Sequence, residues 1–123
     1  MRPKTILLVD DDPLALEVLS ETLTDMNYDV ITEESAAHAL KLFAENPREF
    51  DVVVTDLMMP EMTGDSLSEH IHALRPDIPV LLVTEVPDRV PRERVVAAGI
   101  RKVLPKGMTT RELLAALQEA LQP

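Results

Sequence analysis

The stretch "VVVTDLMMPEMTG", residues 52–64, ends an apolar run on one carboxylate, Asp56, and follows it with a loop rich in methionine and proline. "ILLVDDD" near the start ends in Asp10, Asp11 and Asp12. "LLVT" ends in Thr84, and "VLPKG" brings Lys106 just past a further apolar run. Carboxylates held close together stay ionised only beside a counter-charge, and a set of oxygen donors suits a hard divalent cation. Mg²⁺ takes one or two carboxylates, several waters and often a phosphate. Such a site beside a lysine stabilises charge on a transferring phosphoryl group from two sides. A carboxylate held in line there can accept the group as an acyl phosphate.

These side chains meet only if the elements carrying them align. Short β-branched runs at 5–9, 28–32, 51–55, 79–84 and 100–104 predict five strands, several of them almost continuously apolar as in a sheet covered on both faces. Helical spacing separates them. Asp12 caps and Pro13 opens a first helix with Leu16, Leu19 and Leu23 inward. A second helix, "SAAHALKLFAENP", turns Ala36, Leu40 and Phe43 inward and stops at Asn46-Pro47. Beyond Gly64, read as a turn residue, Leu67, Ile71 and Leu74 mark a third. "PRERVVAAG" is a short fourth with Gly99 past its end, and Thr109 to Glu112 form a capping box for a fifth with Leu113, Leu117 and Leu121 inward.

Strands joined by helices run parallel with right-handed crossovers, which gives a single open α/β sheet with helices on both faces. All strand C-termini then share one edge, where ligands of open α/β sheets bind. Asp10, Asp11, Asp12, Asp56, Thr84 and Lys106 are expected along that rim.

Composition narrows the chemistry. The 123 residues fit one domain, 1–123, with no output domain visible after the fifth helix. Cysteine is absent, which excludes disulfides, thiolate metal sites and cysteine nucleophiles. Against 12 Lys and Arg stand 22 Asp and Glu, a net charge of −10 that disfavours direct binding to nucleic acid or anionic lipid. No apolar stretch nears the ~20 residues that span a bilayer, and the start lacks a signal-like run. A soluble, cytoplasmic domain is expected.

At the motifs "ILLVDDD", "DLMMPEMTG", "LLVT" and "LPKG" the chain resembles, over essentially its whole length, the receiver domains of two-component response regulators. The resemblance implies a flavodoxin-like sheet of order 2-1-3-4-5. It also implies that Asp56 is the phosphoacceptor and that Asp11 ligates Mg²⁺ directly while Asp10 acts mainly through water. The Met58 backbone carbonyl adds a metal oxygen, Thr84 bonds the phosphoryl group, and Lys106 neutralises it. The donor it implies is a phosphohistidine on a sensor histidine kinase or a histidine phosphotransfer protein. Partner binding or homodimerisation is expected on the face of the fourth helix, fifth strand and fifth helix. Catalysis is limited to the domain's own phosphorylation and dephosphorylation.

Three positions depart from the family pattern. Val103 stands where an aromatic residue usually swings inward, Glu85 follows Thr84 where a small residue is usual, and Pro105 precedes Lys106 instead of following it, with Gly107 leaving that loop freer. The chemistry is expected to survive with an altered readout; a pseudo-receiver that only binds partners is the alternative. A further one is a haloacid-dehalogenase-like phosphatase with Asp10 as nucleophile and Asp12 as acid/base, which leaves Asp56 unexplained. Asp12 is better read as a helix cap, and Met58, Met59 and Met62 as loop packing. His38, His70 and His72 are read as surface residues without a role, and Arg89, Arg92 and Arg94 as a solvated cationic face, with a docking patch as the rival reading.

Overall fold

The computed structural model describes residues 2–122; Met1 and Pro123, the ends of the single-domain reading, lie outside the described residues. The elements alternate as β1 (Thr5–Val9), α1 (Pro13–Asp25), β2 (Asp29–Glu33), α2 (Ala36–Glu45), β3 (Val52–Asp56), α3 (Gly64–Leu74), β4 (Val80–Thr84), α4 (Arg92–Ala97), β5 (Lys102–Pro105) and α5 (Thr110–Ala120). Short 3₁₀ turns occupy Pro47–Glu49 and Pro87–Arg89. The five strands are parallel in the order β2-β1-β3-β4-β5.

The alternating pleat divides the core in two. Ile6, Leu8, Val52, Val54, Leu81 and Val83 turn toward α1 and α5, where they meet Leu16, Leu23, Leu113 and Leu117. Leu7, Val9, Val53 and Val80 turn the other way, toward Ala36, Ala39, Phe43, Leu67 and Ile71 of α2 and α3. Because β1, β3 and β4 are covered on both faces, every residue in them is buried, which is why they read as unbroken apolar runs. The chain's only two phenylalanines, Phe43 and Phe50, stack with ring centroids 5.6 Å apart.

Local signals hold at most boundaries. Asp12 caps α1 by accepting from the Leu14 amide at 3.0 Å, and Thr109 and Glu112 form the reciprocal capping box of α5. Gly99, just past α4, has φ 75°, in the left-handed region. Elsewhere the structure corrects the reading. β5 starts at Lys102 because Ile100 is taken into a small cluster with Leu82 and Ala98 before the chain joins the sheet. α4, Arg92–Ala97, is the short helix expected between Pro91 and Gly99. β3 runs one residue further than expected, to Asp56, which pairs with Val83. Leu74 is 48% exposed at the last turn of α3, outside the apolar face.

Candidate functional site

The rim is assembled from β1, β3 and the turn after β5. Asp56 is the last residue of β3 and Asp10 the first after β1, and each is only 8% exposed; Asp11 is exposed beside them. One carboxylate oxygen from each of Asp10, Asp11 and Asp56 lies within 4.8 Å of the others. Lys106 spans the pair, with Nζ 3.2 Å from Asp10 Oδ2 and 3.4 Å from Asp56 Oδ1. Its backbone amide donates to Thr84 O at 2.9 Å, which ties the turn after β5 to the end of β4.

Local hydrogen bonds fix the acids in place. The Asp12 amide donates to Asp10 Oδ1 at 3.0 Å, and the Leu57 amide donates to Asp56 Oδ1 at 2.9 Å. Lys106 and the Leu57 amide thus both meet Oδ1, and no hydrogen bond from the described residues reaches Asp56 Oδ2. Burial, reinforced by the neighbouring Asp10 carboxylate, pushes the Asp56 carboxyl above its ordinary value; Lys106 and the Leu57 amide only partly oppose this. Burial alone would lower Lys106, but the Asp10 and Asp56 carboxylates outweigh it and hold the ammonium group up. The three acids therefore carry more negative charge than one lysine balances. Their hard oxygen donors at this separation fit Mg²⁺.

The loop from Leu57 to Thr63 leads from the end of β3 into α3. Gly64 begins α3 against the end of β3: its amide donates to Leu57 O at 2.8 Å, and a β-carbon on it would lie 2.0 Å from Asp56 O. Gly64 is thus more than a turn residue: having no β-carbon, it permits this close approach. Within the loop Met62 N donates to Pro60 O at 2.8 Å and Glu61 has φ 70°, a tight three-residue turn in a conformation that favours glycine.

Other expectations need adjustment. Met59 is buried in the α2–α3 core and Met62 packs partly against it, whereas the Met58 side chain is 66% exposed and packs little. Thr84 is buried at the end of β4, and its hydroxyl accepts from Val86 N at 3.1 Å; no hydrogen bond joins it to Asp56 among the described residues. Gly107 has no positive φ, and across its turn Met108 N donates to Pro105 O at 3.1 Å. Glu85 is exposed and Val103 packs partly against Leu82, Ala98 and Ile100. Asp12, the acid/base of the phosphatase alternative, is exposed and engaged in its cap.

Two sets of residues set aside in the sequence prove to be engaged. His72 is half-buried, with Nε2 2.8 Å from Ile78 O and Nδ1 3.0 Å from Ser68 O, under Gly99. Arg94 is paired although partly exposed: Nε donates to Asp65 Oδ2 at 2.5 Å and Nη2 pairs with Glu69. Burial would raise the Asp65 carboxyl, but hydrogen bonding by Thr63 and Arg94 outweighs it and holds the carboxyl below its ordinary value. No sequence spacing signals the pairing of Arg94 with α3 or the seat of His72 under Gly99, because those partners lie on different elements.

Among the described residues no helix is long and apolar enough to cross a membrane. The transcriptional regulatory protein GlrR of Escherichia coli K12 is 36% identical over 124 residues, covering 98% of this chain and 27% of that protein. The chain thus spans about a quarter of the length of that relative. A response regulator receiver domain from Clostridium thermocellum superposes with a TM-score of 0.88 at 28% identity, covering 96% of this chain and 94% of that one. The response regulator TrrA of Thermotoga maritima, solved in complex with Mg²⁺ and a beryllium fluoride, does so with a TM-score of 0.86 at 28% identity, covering 96% and 99%. The family model described as the response regulator receiver domain matches residues 6–118, and with these acids and this lysine at the rim of a 2-1-3-4-5 sheet the chain belongs to that family, the receiver domains of two-component systems.

Proposed function

We propose that Asp56 accepts a phosphoryl group from a phosphohistidine donor, with Mg²⁺ held by Asp10, Asp11, Asp56 and the Met58 carbonyl. The observation that carries this reading is the Lys106 ammonium bridging Asp10 and Asp56 while Asp56 Oδ2 is left without a hydrogen bond. Lys106 and the Leu57 amide fix Oδ1, which orients Oδ2 for attack on phosphorus. The new O–P bond forms as the donor's P–N bond breaks, and the imidazole keeps the bonding pair. Lys106 then faces the added negative charge at close range. When bound, Mg²⁺ supplies the remaining positive charge that the three carboxylates and the phosphoryl oxygens require. Thr84 Oγ1 accepts from the Val86 amide and keeps its own O–H to donate to the phosphoryl group.

The donor in this reading is a sensor histidine kinase or a histidine phosphotransfer protein. Exposed Leu14 and Val18 on α1 and exposed Met58 on the loop after β3 offer apolar surface on elements that border the site. The output surface is assigned to α4, β5 and α5, either to a second copy or to a downstream protein; light scattering with and without beryllofluoride tests the first. Incubation with acetyl phosphate and Mg²⁺ followed by intact-mass measurement tests the acceptor. Wild type gains one phosphoryl group and Asp56→Ala gains none. An unlabelled wild type that also takes no phosphate from any kinase tested would make this a pseudo-receiver.

A further inference from the structure

We infer that Arg94 is a positioning residue for the Asp56 site: by clasping Asp65 and Glu69 it holds the first turn of α3, and through Gly64 the loop 57–63, against the acceptor strand. The inference rests on the acceptor reading above and assigns it a residue outside the rim.

The segment that carries Arg94 is weakly anchored by apolar contact. α4 has six residues and none is buried, and the same holds for the 3₁₀ turn before it. Val90 and Val95 reach only partly into the cluster of Leu82, Ala98 and Ile100, and Val96 is 69% exposed. Polar ties to α3 do more. Arg94 pairs with Asp65 and Glu69, Ser68 Oγ donates to Ala98 O at 2.7 Å, and His72 lies under Gly99. Asp65, Ser68, Glu69 and His72 recur at helical spacing, a polar stripe beside the apolar Leu67 and Ile71. Without a cation between them Asp65 and Glu69, four residues apart, would repel each other. The guanidinium fork meets both at once, which a lysine's single ammonium does less well.

The connection to the site runs through one residue. Asp65 directly follows Gly64, whose amide is bonded to Leu57 O and whose α-carbon side abuts the Asp56 carbonyl with no room for a methyl group. A contact that tight transmits displacement of the first turn of α3 to residues 56 and 57 without absorbing it. Leu57 supplies the amide on Asp56 Oδ1, so the clasp bears on the orientation of the acceptor carboxylate.

The test compares wild type, Arg94→Gln, Arg94→Lys and Glu69→Gln by NMR. Amide exchange at Gly64 is read against a core amide such as that of Val54, and beryllofluoride is titrated in the presence of Mg²⁺. Arg94→Gln is expected to speed Gly64 exchange relative to Val54 and to weaken beryllofluoride binding, each by roughly two- to fivefold, the scale of a partly exposed ion pair. Arg94→Lys should recover part of both, and Glu69→Gln should show less than Arg94→Gln because Asp65 stays clasped. If Arg94→Gln does not fold, Arg94→Lys alone must show the same two changes at smaller size. A wild type that ignores beryllofluoride would remove the acceptor reading and this inference together. A wild type that binds it, with a variant whose Gly64 exchange and affinity are unchanged, would overturn the inference and leave the acceptor reading standing.

Discussion

Gly64 sits so near Asp56 that a β-carbon on it would lie 2.0 Å from the Asp56 carbonyl oxygen and 2.8 Å from a Leu82 methyl. Backbone meets backbone there, so neither side can yield as a flexible side chain would. Gly64→Ala is expected to cost on the order of 3 kcal/mol, the upper part of the range for overpacking. Urea denaturation measures this, and residual folded protein should label poorly with acetyl phosphate. A loss below about 0.5 kcal/mol, the size of an ordinary surface change, would show that the contact is not as tight as described.

The raised pKa of Asp56 has a definite sign in stability. The folded value lies above the unfolded one, near 3.9, so the stabilising contribution of this group is fully present in acid below the unfolded value. It is lost as pH rises through the folded value, where a buried carboxylate must ionise beside Asp10. Asp56→Asn should therefore stabilise the metal-free protein at pH 7 by on the order of 1 kcal/mol, and the advantage should vanish below the unfolded pKa. Lys106 acts in the other window: its raised pKa gives stability that is complete below about 10.4 and lost above the folded value. Melting curves across pH for both proteins give the comparison.

Cation binding should appear as stability before it appears as activity. Mg²⁺ relieves the repulsion among Asp10, Asp11 and Asp56, so it should raise the melting temperature, by about 1.4 kcal/mol of stabilisation at ten times its Kd. Asp11→Asn should remove most of that gain while leaving metal-free stability nearly unchanged, because Asp11 is exposed. Equal Mg²⁺ responses in the two proteins would take Asp11 out of the ligand set.

Glu61 holds a left-handed conformation inside a three-residue turn. Glu61→Gly should stabilise by about 0.5–1 kcal/mol, the relief of the left-handed penalty less the added freedom of the unfolded chain. Thermal denaturation decides it. Asn27, also at φ 70°, should gain less from the same change, since asparagine tolerates this region.

Gly99 combines φ 75° with His72 Nδ1 2.5 Å from where its β-carbon would lie. Gly99→Ala should cost about 2–3 kcal/mol from strain and overlap together. Adding His72→Ala should return the steric part and leave the backbone part, so the double variant should be less unstable than the two losses summed. Additive losses in urea denaturation would show that the two residues do not meet.

Much of this was legible along the chain because the relevant signals are local. The nearly continuous apolar runs of β1, β3 and β4, the Asp12 cap and the Thr109–Glu112 box each need only a few adjacent residues to be recognised. A parallel sheet then carries every strand end to one edge, so Asp10, Asp56, Thr84 and Lys106 could be placed on one rim from their positions alone. The start of β5 was less legible because Ile100 is claimed by a cluster with Leu82 and Ala98 that no local pattern encodes.

The tertiary structure decided which groups touch and which do not. Lys106 and Asp10 are 96 residues apart, yet their charges meet at 3.2 Å, while the buried Thr84 hydroxyl is turned to Val86. Arg94 and Asp65 are 29 residues apart on different helices, so nothing in the periodicity of either distinguishes a clasped arginine from a solvated one. Sequence alone set the residue types and the edge at which they emerge, since both follow from chain-local geometry. Contact distance, burial and the close approach at Gly64 depend on how the layers pack, and packing is a property of the whole fold.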